Sequence, residues 1–150
     1  MTTGQVMECT PKYELRKIQS EFPRVRISCS RESEQFIRGF YGPDIEIFES
    51  FFLVTLDRSN HTTGYVKISQ GGTFSTVVET KLIAKYALDG LAHGVIIAHN
   101  HPSGNLEPSQ QDFIITRKIE EALKLFDISL LDHIILTPNS YMSFRDESKM

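Results

Sequence analysis

The alternation of apolar and polar positions divides the chain into short helices and strands. Leu15, Ile18 and Phe22 recur at helical spacing and predict a helix from about Lys12 to Glu21, which Pro23 ends. Val25 and Ile27 alternate with Arg24, Arg26 and Ser28, the pattern of a strand with one wet face. Ser30 can cap a following helix whose apolar face is Phe36, Ile37 and Phe40, with Gly42-Pro43 closing it. The run FFLVTL, Phe51 to Leu56, is almost unbroken and suits a central strand covered on both faces. Asp57 to His61 is a polar turn, Tyr65 to Ser69 the return strand, and Gly71-Gly72 breaks that strand. Leu82, Ile83, Tyr86, Ala87 and Leu91 mark one face of a helix, with His93 in its last turn and Gly94 at its C-cap. Val95 to Ala98 is a second short buried strand. A loop bearing glycine and proline leads to a helix from about Ser109 to Phe126, and Ile134–Leu136 and Tyr141–Phe144 close the pattern as strands. Helices and strands that alternate in this way define an α/β or mixed α+β class, a central sheet between helices with its chemistry at the strand ends.

Composition narrows the class of protein. At 150 residues, 40% hydrophobic and 23% charged, the chain has the make-up of one soluble domain. A domain of this size buries roughly two-thirds of its unfolded surface and needs no disulfide staples. Cys9 and Cys29 form no CxxC pair and fit two reduced thiols of a cytosolic protein. No window approaches the roughly eighteen apolar residues of a membrane span. The N-terminus has neither an apolar core nor a small-residue cleavage site, so the expected location is cytoplasmic, away from membranes. The net charge is −3; residues 1–40 hold seven Lys/Arg against five Asp/Glu, and residues 41–150 nine against fourteen. That basic footprint is small for a nucleic-acid binder and argues against DNA as the main ligand.

The chemistry concentrates in AHNHPSGNLEPSQQD, residues 98–112. His99 and His101 follow a buried strand, and side chains two apart on extended chain share a face. Ser109 and Asp112 have the spacing of a capping box at a helix start, which fixes both on a rigid element. Pro102, Gly104 and Pro108 stiffen the turn that can fold this start back toward the histidines. Two imidazoles and one carboxylate make a sound zinc ligand set, and three protein ligands leave a fourth position for water. Glu49, opening the central strand, is the best-placed carboxylate to take a proton from that water. Nucleobase deamination, which needs H-x-E with P-C-x-x-C, and HExxH metalloprotease chemistry both lack their motifs here.

HNHPSG followed by PSQQD resembles the JAMM signature, H-x-H-x7-S-x-x-D. The fuller string, Glu49 eight residues before Asp57, and the LLDHII segment from Leu130 to Ile135 resemble the RadC-like branch of the JAB/MPN metallopeptidases. The likeness spans about residues 45–146. It implies a JAB/MPN-type central mixed sheet flanked by helices, with residues 45–150 as the domain and residues 1–44 as a helix-strand-helix extension. It also implies Zn2+ on His99, His101 and Asp112. Glu49 would be the general acid/base that activates the zinc-bound water and later protonates the leaving amine. Ser109 would donate a hydrogen bond to the developing oxyanion. The implied substrate is a peptide or protein. Longer members carry an N-terminal helix-hairpin-helix region associated with DNA, and no such pattern is read in residues 1–45. That departure speaks against a DNA role; the alternative weighed against the hydrolase is a non-enzymatic DNA-repair or DNA-maintenance accessory module with a zinc site.

Four further residues carry smaller expectations. His61 reads as an exposed turn residue. Asn100, between the two histidines, is expected on the opposite face, pinning the loop. Ser103 shapes the turn or touches substrate. Asp132-His133 reads either as a buried hydrogen-bonded pair at a strand start or as support for the metal site.

Overall fold

The computed structural model describes residues 9–14, 16–71 and 77–150. Five strands, β1 (Ser50–Leu56), β2 (Thr62–Gln70), β3 (Gly94–Asn100), β4 (Ser129–Leu136) and β5 (Tyr141–Ser143), form one sheet in the order β2-β1-β3-β4-β5. β1 pairs antiparallel with both β2 and β3, β3 pairs parallel with β4, and β5 returns antiparallel on β4. Among the described residues three α-helices flank this mixed sheet: α1 (Ser30–Arg38), α2 (Thr80–Asp89) and α3 (Gln110–Lys124).

Every position of β1 and β3 is buried, as their continuous apolar runs require. Phe51, Leu53, Val95 and Ile97 face α2 and α3, where Ile83, Ala87, Ile115, Ile119 and Leu123 complete a core. Val54, Leu56, Ile96 and Ala98 face the other way, onto Ile27, Ile37 and Ile45. α1 and the 3-10 turn Pro43–Glu46 cover that side. Alternation along a strand thus sends neighbouring residues into two different cores.

β4 carries an irregularity where it meets β3. Its pairing with β3 steps from Val95↔Leu130 to Ile96↔Asp132, so Leu131 is an extra residue. Beyond that step His133 pairs with Ile97 and shares its face, toward α3. Gly94 lies against the extra residue: a Cβ there would sit 2.8 Å from the Leu131 side chain.

Several local expectations are corrected. No described residue from Lys12 to Glu21 is helical, and Leu15 lies outside the described residues. Of the described spaced positions Ile18 is 91% exposed and only Phe22 packs, against Phe36, Phe40 and Tyr65, and a short helix with so little to pack on is marginal alone. Residues 24–28 form only one bridge, Arg26 with His61, rather than a strand. Cys29, not Ser30, stands at the α1 N-cap; the Ser30 hydroxyl instead donates to Asp146. α1 ends at Gly39 rather than Gly42, because Pro43 opens the 3-10 turn. Gly90 caps α2, so Leu91 and His93 lie in the following turn and Gly94 begins β3. Leu91 accordingly is 82% exposed instead of lying on the helix face.

Candidate metal centre

Strand pairing brings the reactive groups to one end of the sheet. β1 and β3 are antiparallel with Phe51 opposite His99, so the residues just before β1 lie beside those at the end of β3. His101 continues the direction of β3, its N–H donating to Leu136 O at 2.8 Å. A turn follows, closed by Gly104 N–H to His101 O at 3.1 Å, in which Gly104 takes a φ of +83° that an L side chain would resist. The next carbonyl, Asn105 O, lies 2.7 Å from His101 Nδ1 and can only accept, so that ring carries its proton on Nδ1.

α3 begins with the expected capping box. Ser109 Oγ accepts from Asp112 N–H at 3.1 Å, and Ser109 N–H donates to Asp112 Oδ2 at 2.8 Å. The first bond uses a lone pair of the serine and not its hydroxyl proton. Its side chain is exposed at the helix start. The box holds the Asp112 carboxylate against both imidazoles, with Oδ1 3.2 Å from His99 Nε2 and Oδ2 3.4 Å from His101 Nε2. The two Nε2 atoms are 2.9 Å apart. His99, His101 and Asp112 each offer one ligand atom within 4.8 Å of the others, a group that could hold a metal ion.

Electrostatics follows from this crowding. Burial works against the Asp112 charge, but the His101 and His99 rings, once acid puts protons on their Nε2 atoms, and the Ser109 N–H outweigh it and hold the carboxyl far below its ordinary range. Burial likewise disfavours a charged His101, yet the Asp112 carboxylate, the Asn105 carbonyl and more distant Glu49 raise its pKa overall. Tyr41 is pushed well up by burial and then by the Glu49 charge, and its hydroxyl donates to Ser50 O at 2.8 Å.

Glu49 lines a cleft of about 280 Å3 together with Phe51, His99, Asp112, Ile115 and Val78. Its place is set by Asn100, on the opposite face of β3 from His99. Asn100 Nδ2 donates to Phe48 O at 2.7 Å and to Ile45 O at 2.8 Å, while its Oδ1 accepts from Ser50 N–H at 2.7 Å. Asn100 therefore clasps the backbone on both sides of Glu49. A larger hollow of about 360 Å3 lies away from this end, lined by Lys17, Arg24, Asp57 and Tyr65 among others. Its Arg24 and Asp57 already pair with each other. Asp57 also accepts from the Ser59 and His61 N–H groups, which makes it the organiser of the β1–β2 turn. His61 is half-buried there, with its Nδ1 3.8 Å from Asp57 Oδ1. Ser103 is exposed, its Oγ accepting from Asn105 N–H at 3.4 Å.

Asp132 and His133 are both buried, but their side chains do not pair with each other. Adjacent in β4, they face opposite sides, and of His133 the Asp132 carboxylate meets only the backbone N–H, which donates to Oδ1 at 2.8 Å. Asp132 also accepts from Ser143 Oγ at 2.6 Å and from Arg145 N–H at 3.1 Å, which ties β4 to the turn after β5. Burial raises its pKa, partly offset by those bonds. His133 stacks on Phe144, lies 2.8 Å from His99 Nδ1 through its own Nε2, and meets Thr116 Oγ1 at 2.6 Å through Nδ1. Complete burial drives its pKa well down, so it is neutral. Thr116 was not visible as a site residue in the sequence. The available signal is its place four residues after Asp112, on the same face of α3.

A five-stranded mixed sheet with His-x-His at the end of one strand and aspartate at the next helix start defines a JAB/MPN-type domain with a group that could bind metal. The chain belongs to the RadC-like JAB domain family, whose model matches residues 27–150. A UPF0758 protein of Flavobacterium johnsoniae is 43% identical over 99 residues, covering 66% of this chain and 43% of that one. One from Neisseria meningitidis is 44% identical over 90 residues, 60% of this chain and 40% of the relative. One from Coprothermobacter proteolyticus is 38% identical over 99 residues, 66% and 42% respectively. The matched region thus spans less than half the length of each of these relatives. Among the described residues, no helix is long and apolar enough to cross a membrane.

Proposed function

We propose that this protein is a zinc-dependent hydrolase of the metallopeptidase or isopeptidase type, acting in the cytoplasm on a peptide or protein substrate. One observation carries the reading: three donor groups converge beside a cleft that Glu49 also lines. The donor set fits zinc, which takes imidazole nitrogen and carboxylate oxygen and in catalytic sites keeps one position open. His99, His101 and Asp112 would hold the ion, whose Lewis acidity makes water acidic near neutral pH and polarises a carbonyl. Glu49 takes a proton from the attacking water and returns it to the amine nitrogen that leaves. The Ser109 hydroxyl proton, not used by the helix cap, donates to the oxyanion that develops on the substrate carbonyl. Phe51, Val78 and Ile115 give the cleft apolar walls that exclude water around the reacting bond. The alternative, a DNA-maintenance module, rests on the family name and on no residue of this site.

Metal analysis and a peptide-library cleavage assay test the proposal. Purified protein is expected to contain stoichiometric zinc that Asp112→Ala loses. Glu49→Gln is expected to keep the zinc and lower cleavage by about 10²–10⁴-fold. Protein without stoichiometric zinc, and indifferent to Asp112→Ala, overturns the assignment.

A further inference from the structure

We propose that His133 and Thr116 are positioning residues that fix the proton of His99 on Nδ1 and so present its Nε2 as a bare donor to the ion. This rests on the metal-binding reading above and adds two residues to it. Thr116 Oγ1 lies 2.6 Å from Asp112 O, and a carbonyl can only accept, so the hydroxyl proton is committed there. At 2.6 Å from His133 Nδ1, the same oxygen must then be the acceptor, and His133 carries its proton on Nδ1. The neutral His133 ring has a lone pair on Nε2, which faces His99 Nδ1 at 2.8 Å. His99 must therefore donate from Nδ1. Its Nε2 is left without a proton, 3.2 Å from Asp112 Oδ1 and 2.9 Å from the equally bare Nε2 of His101.

The relay begins and ends on one residue. Asp112 offers its carboxylate to His99, and its backbone carbonyl fixes the hydroxyl that fixes the ring that fixes His99. The loop joins the start of α3 to the adjoining strands β3 and β4. All its side chains lie on one face of the sheet and have almost no exposure to water: His99 is 1% exposed, His133 0% and Thr116 3%. Outer partners of a ligating histidine fix its tautomer, and their loss costs about 10–100-fold in metal affinity.

Replacing the hydroxyl tests the relay. In Thr116→Val the Nδ1–H of His133 loses its acceptor. His133 then favours a proton on Nε2, which drives the His99 proton onto the metal-facing nitrogen. Zinc affinity, read by competition with a chelator, is expected to fall about 10–100-fold. Thr116→Ser keeps the hydroxyl and should stay within about threefold of wild type. A packing role predicts the reverse order, because valine fills the space of threonine and serine leaves a methyl-sized void. His133→Phe should lose affinity like Thr116→Val, while His133→Gln can offer a carbonyl to His99 and recover part of it. Nitrogen-15 chemical shifts of the imidazoles in metal-free wild type give a readout independent of binding: His133 is expected protonated on Nδ1 alone, and His99 on Nδ1. A His133 proton on Nε2, or valine binding zinc better than serine, overturns the proposal. Wild type that binds no zinc sinks the hydrolase reading instead, and the nitrogen shifts then decide the relay alone.

Discussion

His99 and Asn100 are neighbours in β3, yet they sit in opposite kinds of polar surroundings. On the face toward α1, each polar group of the Asn100 amide is matched, two carbonyls accepting from its nitrogen and one backbone N–H donating to its oxygen. On the face toward α3, two ring nitrogens and two carboxylate oxygens crowd together with lone pairs aimed at one another. A buried polar group with its partners inside the protein builds scaffold. Converging lone pairs that lack protons between them ask for a cation from outside. One residue of strand alternation separates the two roles, so the clasp can be tight without entering the chemistry.

Variants on the two faces should therefore fail differently. The largest expected effect is on the scaffold face. Asn100→Ala strips partners from Ser50 N–H, Ile45 O and Phe48 O, at about 1–3 kcal/mol for each buried group left unpaired. Urea or thermal unfolding should show a loss of several kcal/mol, and a variant within about 1 kcal/mol of wild type would refute the clasp. Next comes the proton as competitor on the lone-pair face. A protonated His101 cannot ligate, and its pKa is raised above the ordinary 6.5. Zinc affinity should thus be highest above that raised pKa and fall as pH drops through it, by about tenfold per pH unit for one proton. Affinity that is flat until well below pH 6.5 would contradict the raised value. The smallest effect is the most discriminating. His101→Ala should abolish zinc binding while moving the unfolding free energy of the metal-free protein by less than about 1 kcal/mol, as removal of a partly exposed lone-pair group should.

What could be read beforehand depended on distance along the chain. The central strands were legible because FFLVTL is apolar but for Thr55 and VIIA is apolar throughout, and both lie buried in the middle of the sheet. His99, His101, Ser109 and Asp112 fall within fourteen residues, and local rules of strand alternation and helix capping suffice to bring them near one another. His133 needed the parallel pairing of β4 with β3 and a step in its register, neither of which periodicity reports. Thr116 looked like one more position on an amphipathic helix, since nothing local marks a hydroxyl that will meet a distant ring. The Lys12–Glu21 helix failed for the converse reason: its periodicity is real, but Ile18 is exposed, and among the described positions of the pattern only Phe22 meets a partner surface. The sequence reads Gly94 as the cap of α2, but Gly90, four residues earlier, is the glycine that caps and leaves room for a turn before β3.

The extra residue in β4 has a consequence for how this chain can change. Leu130 and His133 face the same side only because Leu131 adds one position between them. Were Leu131 taken into regular pairing with Ile96 instead, the ring of residue 133 would turn away from His99 and Asp132 would face α3, a carboxylate among aliphatic side chains. The space for that extra leucine comes from the missing side chain of Gly94, at the far end of the neighbouring strand. A glycine remote from every reactive atom is thus what permits the odd-numbered spacing by which a histidine arrives behind the site.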